Sequence, residues 1–212
     1  MLPLLPQYYV DLPLHSKKQI KNGIVALWEI NETKEQLLEM LPTSWLKNLE
    51  VEKLSKHNLA ARVLANTVCP EFDILEKDEY GKPYFESSSC KISLTHAGNY
   101  AAFMQKEGGD CGIDMEQITD RVRRIVTKFV RDDEKEFLKH DINGMYLLWC
   151  AKETLYKYYG LKALDFKEHM WVDYEELMDK GSLVGHIKKG DYYAKLNFEY
   201  QFFDEYLLVH TN

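Results

Sequence analysis

A turn-type cluster near the middle of the chain, Lys106-Glu107-Gly108-Gly109-Asp110, divides the sequence into two halves that read alike. No linker rich in proline, glycine or serine separates them. In the first half, Gly23 to Ile30 reads as a buried strand, and Glu32 to Ala65 as helices interrupted near Pro42, the last capped by Ser55. Gly81-Lys82-Pro83-Tyr84-Phe85 reads as a turn into an extended segment. Lys91 to Met104 reads as two strands around the turn His96-Ala97-Gly98-Asn99.

In the second half, Cys111 to Gln117 reads as a strand. Thr119 or Asp120 caps a predicted helix over Arg121 to Lys139. A further helix over Met145 to Tyr159 ends at Gly160, and Met170 to His210 alternates polar and apolar residues as antiparallel strands do. Ala26-Leu27-Trp28-Glu29-Ile30 holds the place in its half that Gly112-Ile113-Asp114-Met115-Glu116 holds in the other. The helix with Ala61-Arg62-Val63-Leu64 likewise corresponds to the one with Ala151-Lys152-Glu153-Thr154. The expectation is an α+β fold, a pseudo-duplicated chain of two similar halves, residues 1–107 and 108–212. Each half packs an antiparallel sheet on helices, with the active site at their interface.

The 212 residues suffice for a substantial core, and 45% apolar with 29% charged residues is ordinary for a soluble globular chain. A net charge of −7 argues against a broad nucleic-acid surface, so an anionic ligand needs a local basic pocket. Cys69, Cys90, Cys111 and Cys150 form no C-x-x-C pair and read as buried reduced thiols. The start, Met1-Leu2-Pro3-Leu4-Leu5-Pro6, lacks the pattern of a signal peptide, and no stretch approaches the roughly twenty apolar residues of a membrane span. A cytoplasmic protein is expected.

Side chains alternate faces along a strand, so Asp114 and Glu116 point one way while Ile113 and Met115 point to the core. Two carboxylates side by side repel, and burial makes this worse; a cation resolves the conflict, and oxygen donors suit Mg²⁺ or Mn²⁺. A D-x-E pair alone is common on exposed strands. On the helix over Met145 to Tyr159, however, Trp149, Glu153 and Lys157 lie at i, i+4 and i+8 beside the apolar stripe Leu148, Ala151, Leu155 and Tyr158, with Lys152 and Tyr156 flanking them. By itself that is a surface Glu–Lys pair worth a few tenths of a kcal/mol.

Together the two segments resemble the 4′-phosphopantetheinyl transferase superfamily. Cys111-Gly112-Ile113-Asp114-Met115-Glu116 and Trp149-Cys150-Ala151-Lys152-Glu153-Thr154-Leu155-Tyr156-Lys157 match its two motifs at the right spacing. Cys111 for an aliphatic residue and Thr154 for alanine or serine are mild departures. Tyr80-Gly81-Lys82-Pro83 and Leu94-Thr95-His96-Ala97-Gly98 are similar to elements of the larger, two-half, surfactin-synthetase type. The first twenty residues match nothing in the family.

The resemblance implies transfer of the phosphopantetheine arm of coenzyme A to a serine of an acyl or peptidyl carrier protein, releasing adenosine 3′,5′-bisphosphate. It implies Mg²⁺ on Asp114, Glu116 and Glu153. Glu153, Lys157 and Lys152 become the catalytic candidates: Glu153 as base, Lys157 at the leaving phosphate, Lys152 orienting the site. Lys82, Thr95 and His96 are implied at the coenzyme A phosphates. The family also uses a basic residue, usually arginine, on the first-half helix, where this chain offers Lys56 or His57, and Arg62 falls on the core side.

Arg121, Arg124 and Lys128, at i, i+3 and i+7, give a basic face for an acidic carrier helix, or equally a solvated surface. A chain holding both halves needs no partner copy, so a monomer is expected. The competing readings are a Mg²⁺-dependent phosphoanhydride hydrolase and a degenerate protein that binds coenzyme A or a carrier without turnover.

Overall fold

The computed structural model describes residues 14–46, 50–72 and 75–212. The first half contains β1 (Leu14–Ile20), β2 (Gly23–Glu29), α1 (Lys34–Glu39), α2 (Thr43–Leu46), α3 (Lys56–Val68), β3 (Leu75–Lys77), β4 (Pro83–Phe85), β5 (Lys91–Ala97) and β6 (Tyr100–Lys106). The second contains β7 (Ile113–Gln117), α4 (Val126–Phe129), α5 (Asp141–Tyr159), β8 (Met170–Asp173), β9 (Lys180–Lys189), β10 (Tyr192–Phe203) and β11 (Tyr206–Thr211). The architecture is α+β with two antiparallel sheets.

One sheet runs β1-β2-β6-β5-β4-β3 and the other β7-β11-β10-β9-β8. With β1 set aside the orders correspond strand for strand, and a long helix follows the first strand of each, α3 after β2 and α5 after β7. β1 lies in the stretch where the sequence offered no motif. It pairs along β2 as an edge strand, and its polar, exposed centre hides the usual strand pattern.

Local chemistry explains the main boundaries. The Ser55 hydroxyl accepts the Asn58 amide at 3.1 Å and starts α3. Thr33 and Gln36 close a reciprocal cap on α1. Gly160, at φ 71°, ends α5 in the left-handed region. Three cores result, one in each half and one between them, where Val25, Leu27 and Met104 meet Ile113, Met115 and Tyr206. Ile113 and Met115 are buried as expected, each worth roughly 1.5–3 kcal/mol.

The continuous helix expected over Arg121 to Lys139 is not there. The segment breaks into a 3₁₀ turn at Asp120–Arg124, the short α4, and a second 3₁₀ stretch at Asp132–His140. Thr119 does not cap it; its hydroxyl lies 3.1 Å from the Tyr146 hydroxyl. The Phe129 carbonyl, which a continuing helix would give to a backbone amide, instead accepts the Lys152 ammonium at 2.6 Å. Val130 is extended in consequence, and Glu134 turns inward to the same lysine. Arg121, Arg124 and Lys128 are exposed but do not share one helical face. α5 begins at Asp141, four residues ahead of the expected Met145.

Candidate active site

β7 and α5 touch through a glycine. A Cβ on Gly112 would lie 2.3 Å from the Thr154 carbonyl oxygen, so only glycine lets the carboxylate strand lie this close to the helix. β5 of the first half joins β7 from the other side, with the Ile113 amide donating to Ser93 Oγ at 3.1 Å.

Asp114 stands at this junction, buried. Its Oδ1 accepts Lys157 Nζ at 2.7 Å and Thr95 Oγ1 at 3.1 Å, while its Oδ2 is buried without a partner. Lys157 also donates to the carbonyls of Ile113 at 3.1 Å and Leu94 at 3.4 Å, so its ammonium bridges both halves. Glu116 Oε1 accepts the Trp149 indole N–H at 3.0 Å. Burial, with Asp114 nearby, raises Glu116 above the ordinary carboxylate range. Burial and the Asp114 charge push Glu153 up to about 7, against the pull of Lys157. The Cys150 thiol is raised by burial and by Asp114 and stays protonated.

Among the described residues no three carboxylate, imidazole or thiol groups stand together as a finished metal cage, and the Lys157 ammonium stands at Asp114. The chemistry of the side chains would suit a hard divalent cation: Glu116 and Glu153 are both raised by burial and by the Asp114 charge, and one Asp114 oxygen is buried without a hydrogen-bond partner.

A cleft of about 440 Å³ opens beside Asp114, walled by Arg62, Lys82, Thr95 and His96 from the first half and by Tyr156 and Lys157 from the second. Lys82 is held at the wall by Asp110 Oδ1 at 2.7 Å and by the Tyr158 carbonyl at 3.0 Å. Burial lowers His96, helped by His57 and Lys157, so its ring favours the neutral form. A second hollow of about 360 Å³ lies beside Glu116, lined by Gln117, Arg121, Val122 and Ile125; His96 lines both.

The arginine on the first-half helix is Arg62, buried as its core-side position implies and also exposed to the cleft. It is 8% exposed, lines the cleft, and its Nε has no partner. Burial lowers its pKa, with Glu76 opposing. Lys56 and His57 do not line the cleft; the His57 ring packs 5.1 Å from His96, its Nε2 2.7 Å from the Gly98 carbonyl oxygen. A charged residue inside the apolar run Leu59 to Ala65 was the available signal.

Lys152 stands away from the carboxylates. It is fully buried and donates to the carbonyls of Phe129 at 2.6 Å and Phe166 at 2.8 Å and to Glu134 Oε2 at 2.6 Å. Burial pushes Glu134 up and Lys152 down, and each is opposed by the other's charge. Five hydrogen bonds favour the ionised pair: three from Lys152, and those from the Arg131 and Val172 amides to Glu134.

Residues 110–208 match the family model of the 4′-phosphopantetheinyl transferase superfamily. That stretch, from the loop before β7 into β11, carries a domain of this transferase superfamily. No curated protein matches the chain closely enough to count as a relative. Among the described residues, no helix is long and apolar enough to cross a membrane.

Proposed function

We propose that the chain transfers the 4′-phosphopantetheine moiety of coenzyme A to a serine of an apo carrier protein, with Mg²⁺ or Mn²⁺ and with release of adenosine 3′,5′-bisphosphate. The observation that carries this reading is the cleft itself. It sets a buried arginine with an unpartnered nitrogen and a row of cationic or neutral donors beside a carboxylate oxygen that also lacks a partner. A ligand with separated phosphates gives the cationic donors their partners, and a divalent cation carried on those phosphates would give the bare Asp114 oxygen its own. The superfamily match over residues 110–208 supports the same chemistry.

In this reading Arg62, Lys82, Thr95 and His96 hold the coenzyme A phosphates. Asp114, Glu116 and Glu153 hold the cation, which when bound neutralises the pyrophosphate. The serine oxygen forms a bond to the β-phosphorus, and the bond to the bridging oxygen breaks. The serine proton passes to Glu153, and the departing phosphate keeps the bonding electrons beside Lys157. Lys152 orients the region from within the fold. The acceptor approaches through the hollow beside Glu116, near Arg121, with Arg124 and Lys128 exposed on the same segment. The matched strand orders support a pseudo-duplicated, two-half enzyme acting as a monomer, with its site at the junction.

The test is to mix protein, coenzyme A, Mg²⁺ and a panel of apo acyl and peptidyl carriers and to weigh the carriers. A phosphopantetheine adduct on a carrier serine is the expected result. No adduct on any carrier overturns the reading, and release of the bisphosphate without a carrier supports hydrolysis instead.

A further inference from the structure

Lys152 fixes two backbone carbonyls, and the rings of those same two residues grip one indole. Its ammonium takes the carbonyls of Phe129 and Phe166. The Phe129 ring packs on Trp149 at 5.1 Å and 53°, and the Phe166 ring stacks on it at 5.2 Å and 16°. Phe166 also stacks on Tyr156, one heptad further along α5, at 5.8 Å and 14°. The gripped indole points its N–H at Glu116 Oε1, 3.0 Å away. Glu134 completes the frame, pairing with Lys152 and accepting the amides of Arg131 at 3.0 Å and Val172 at 2.9 Å.

We propose that Lys152, Phe129 and Phe166 form a clamp that positions Trp149 and, through it, Glu116. They are positioning residues. The clamp spans three separate segments: α4, α5 and the loop from Leu161 to His169. An unclamped indole on a half-buried helix face would visit several rotamers, and a hydrogen bond to Glu116 forms in only one of them. The clamp confines the indole to that rotamer. This explains why a lysine so near the catalytic motif is buried on backbone carbonyls. The kinetic part of the inference rests on the transferase reading; the structural part does not.

The experiment uses the full chain labelled with ¹⁵N. The Trp149 indole N–H resonance is assigned by its loss in Trp149→Phe, and its exchange with water is measured in the wild type, Phe166→Ala, Phe166→Leu and Phe166→Tyr. Only variants that keep a cooperative thermal transition are compared. Phe166→Ala or Phe166→Leu is expected to speed exchange at least tenfold and to lower kcat at least tenfold, with KM for coenzyme A within threefold. Phe166→Tyr restores both. Unchanged exchange in Phe166→Leu overturns the clamp, as does unchanged kcat in an active enzyme. If the wild type transfers nothing, the transferase reading has failed and the exchange measurement alone decides the clamp.

Discussion

Lys157 donates to Asp114 across 2.7 Å, and this contact occupies Oδ1 while Oδ2 is left bare. One carboxylate thus carries an internal cation on one oxygen while its other oxygen has no hydrogen-bond partner. Lys157→Met removes the ammonium and leaves Asp114 with the Thr95 hydroxyl and the neighbouring Cys150 thiol. The expected result is a loss of transfer of about a hundredfold or more, on the scale of a lost charge-stabilising group. The thermal transition should stay cooperative, because the lysine side chain is only partly buried. Carrier mass spectrometry and circular dichroism check the two halves of this statement; wild-type turnover in Lys157→Met removes the lysine from the mechanism.

Arg62 sits in the cleft with a buried nitrogen that nothing satisfies. Such a group costs stability in the free protein and returns it when an anion binds. Arg62→Met keeps the aliphatic stem and discards the charge. Coenzyme A affinity should fall 10- to 100-fold, roughly 1.4–2.8 kcal/mol, while the melting temperature holds or rises. Lys56→Met, outside the cleft, should leave affinity within twofold. Isothermal titration with coenzyme A decides between the two residues, and reversed outcomes would return the phosphate contact to Lys56.

The strands β2, β5, β6 and β7 and the helix α5 were legible because strand and helix periods leave strong marks there. The contact between Asp114 and Lys157 could be anticipated for the same reason: the two residues lie on two regular elements. What escaped depended on contacts distant in sequence. The break after Phe129 follows from a lysine on another helix taking its carbonyl. The inward turn of Glu134 follows from the same lysine, and a Glu in the run Asp132-Asp133-Glu134-Lys135-Glu136 looks solvated when read alone. Arg62 shares a pattern with core residues, and only the cleft beside it shows why an arginine stands there. β1 escaped because its exposed centre is polar on both faces.

Glu153 gives the cation-free protein a definite pH dependence. Its folded pKa, about 7, lies above the ordinary 4.5 because burial and Asp114 oppose its charge. A carboxyl raised in the folded state binds protons better folded than unfolded, so this group lowers stability as pH rises from about 4.5 to 7. The shift corresponds to roughly 3 kcal/mol at full ionisation. Without divalent cation, the wild type should therefore lose more stability between pH 5 and pH 8 than Glu153→Gln does (pH range set by the folded value of about 7). Mg²⁺ should raise the wild-type melting temperature more at the upper end of that range than at the lower, and far less in Glu153→Gln. Parallel pH curves for the two proteins would remove the raised carboxyl from the account.

The Lys152–Glu134 pair tests whether the motif lysine works through the fold. Both side chains are out of solvent, at 0% and 1% exposure. Removing one partner leaves the other charge buried and unpaired, which typically costs about 3–5 kcal/mol. Lys152→Met and Glu134→Leu should each lower the unfolding free energy, obtained from urea titration, by that amount. The double replacement removes both charges, so it should recover part of the loss rather than sum the two. Recovery stays incomplete, because the carbonyls of Phe129 and Phe166 and the amides of Arg131 and Val172 lose their partners. The coupling energy from the four-protein cycle should be at least about 1 kcal/mol in favour of the pair. Additive single effects would mean that the two groups do not sense each other, and Lys152 would then have to be reconsidered as a group free to act on substrate.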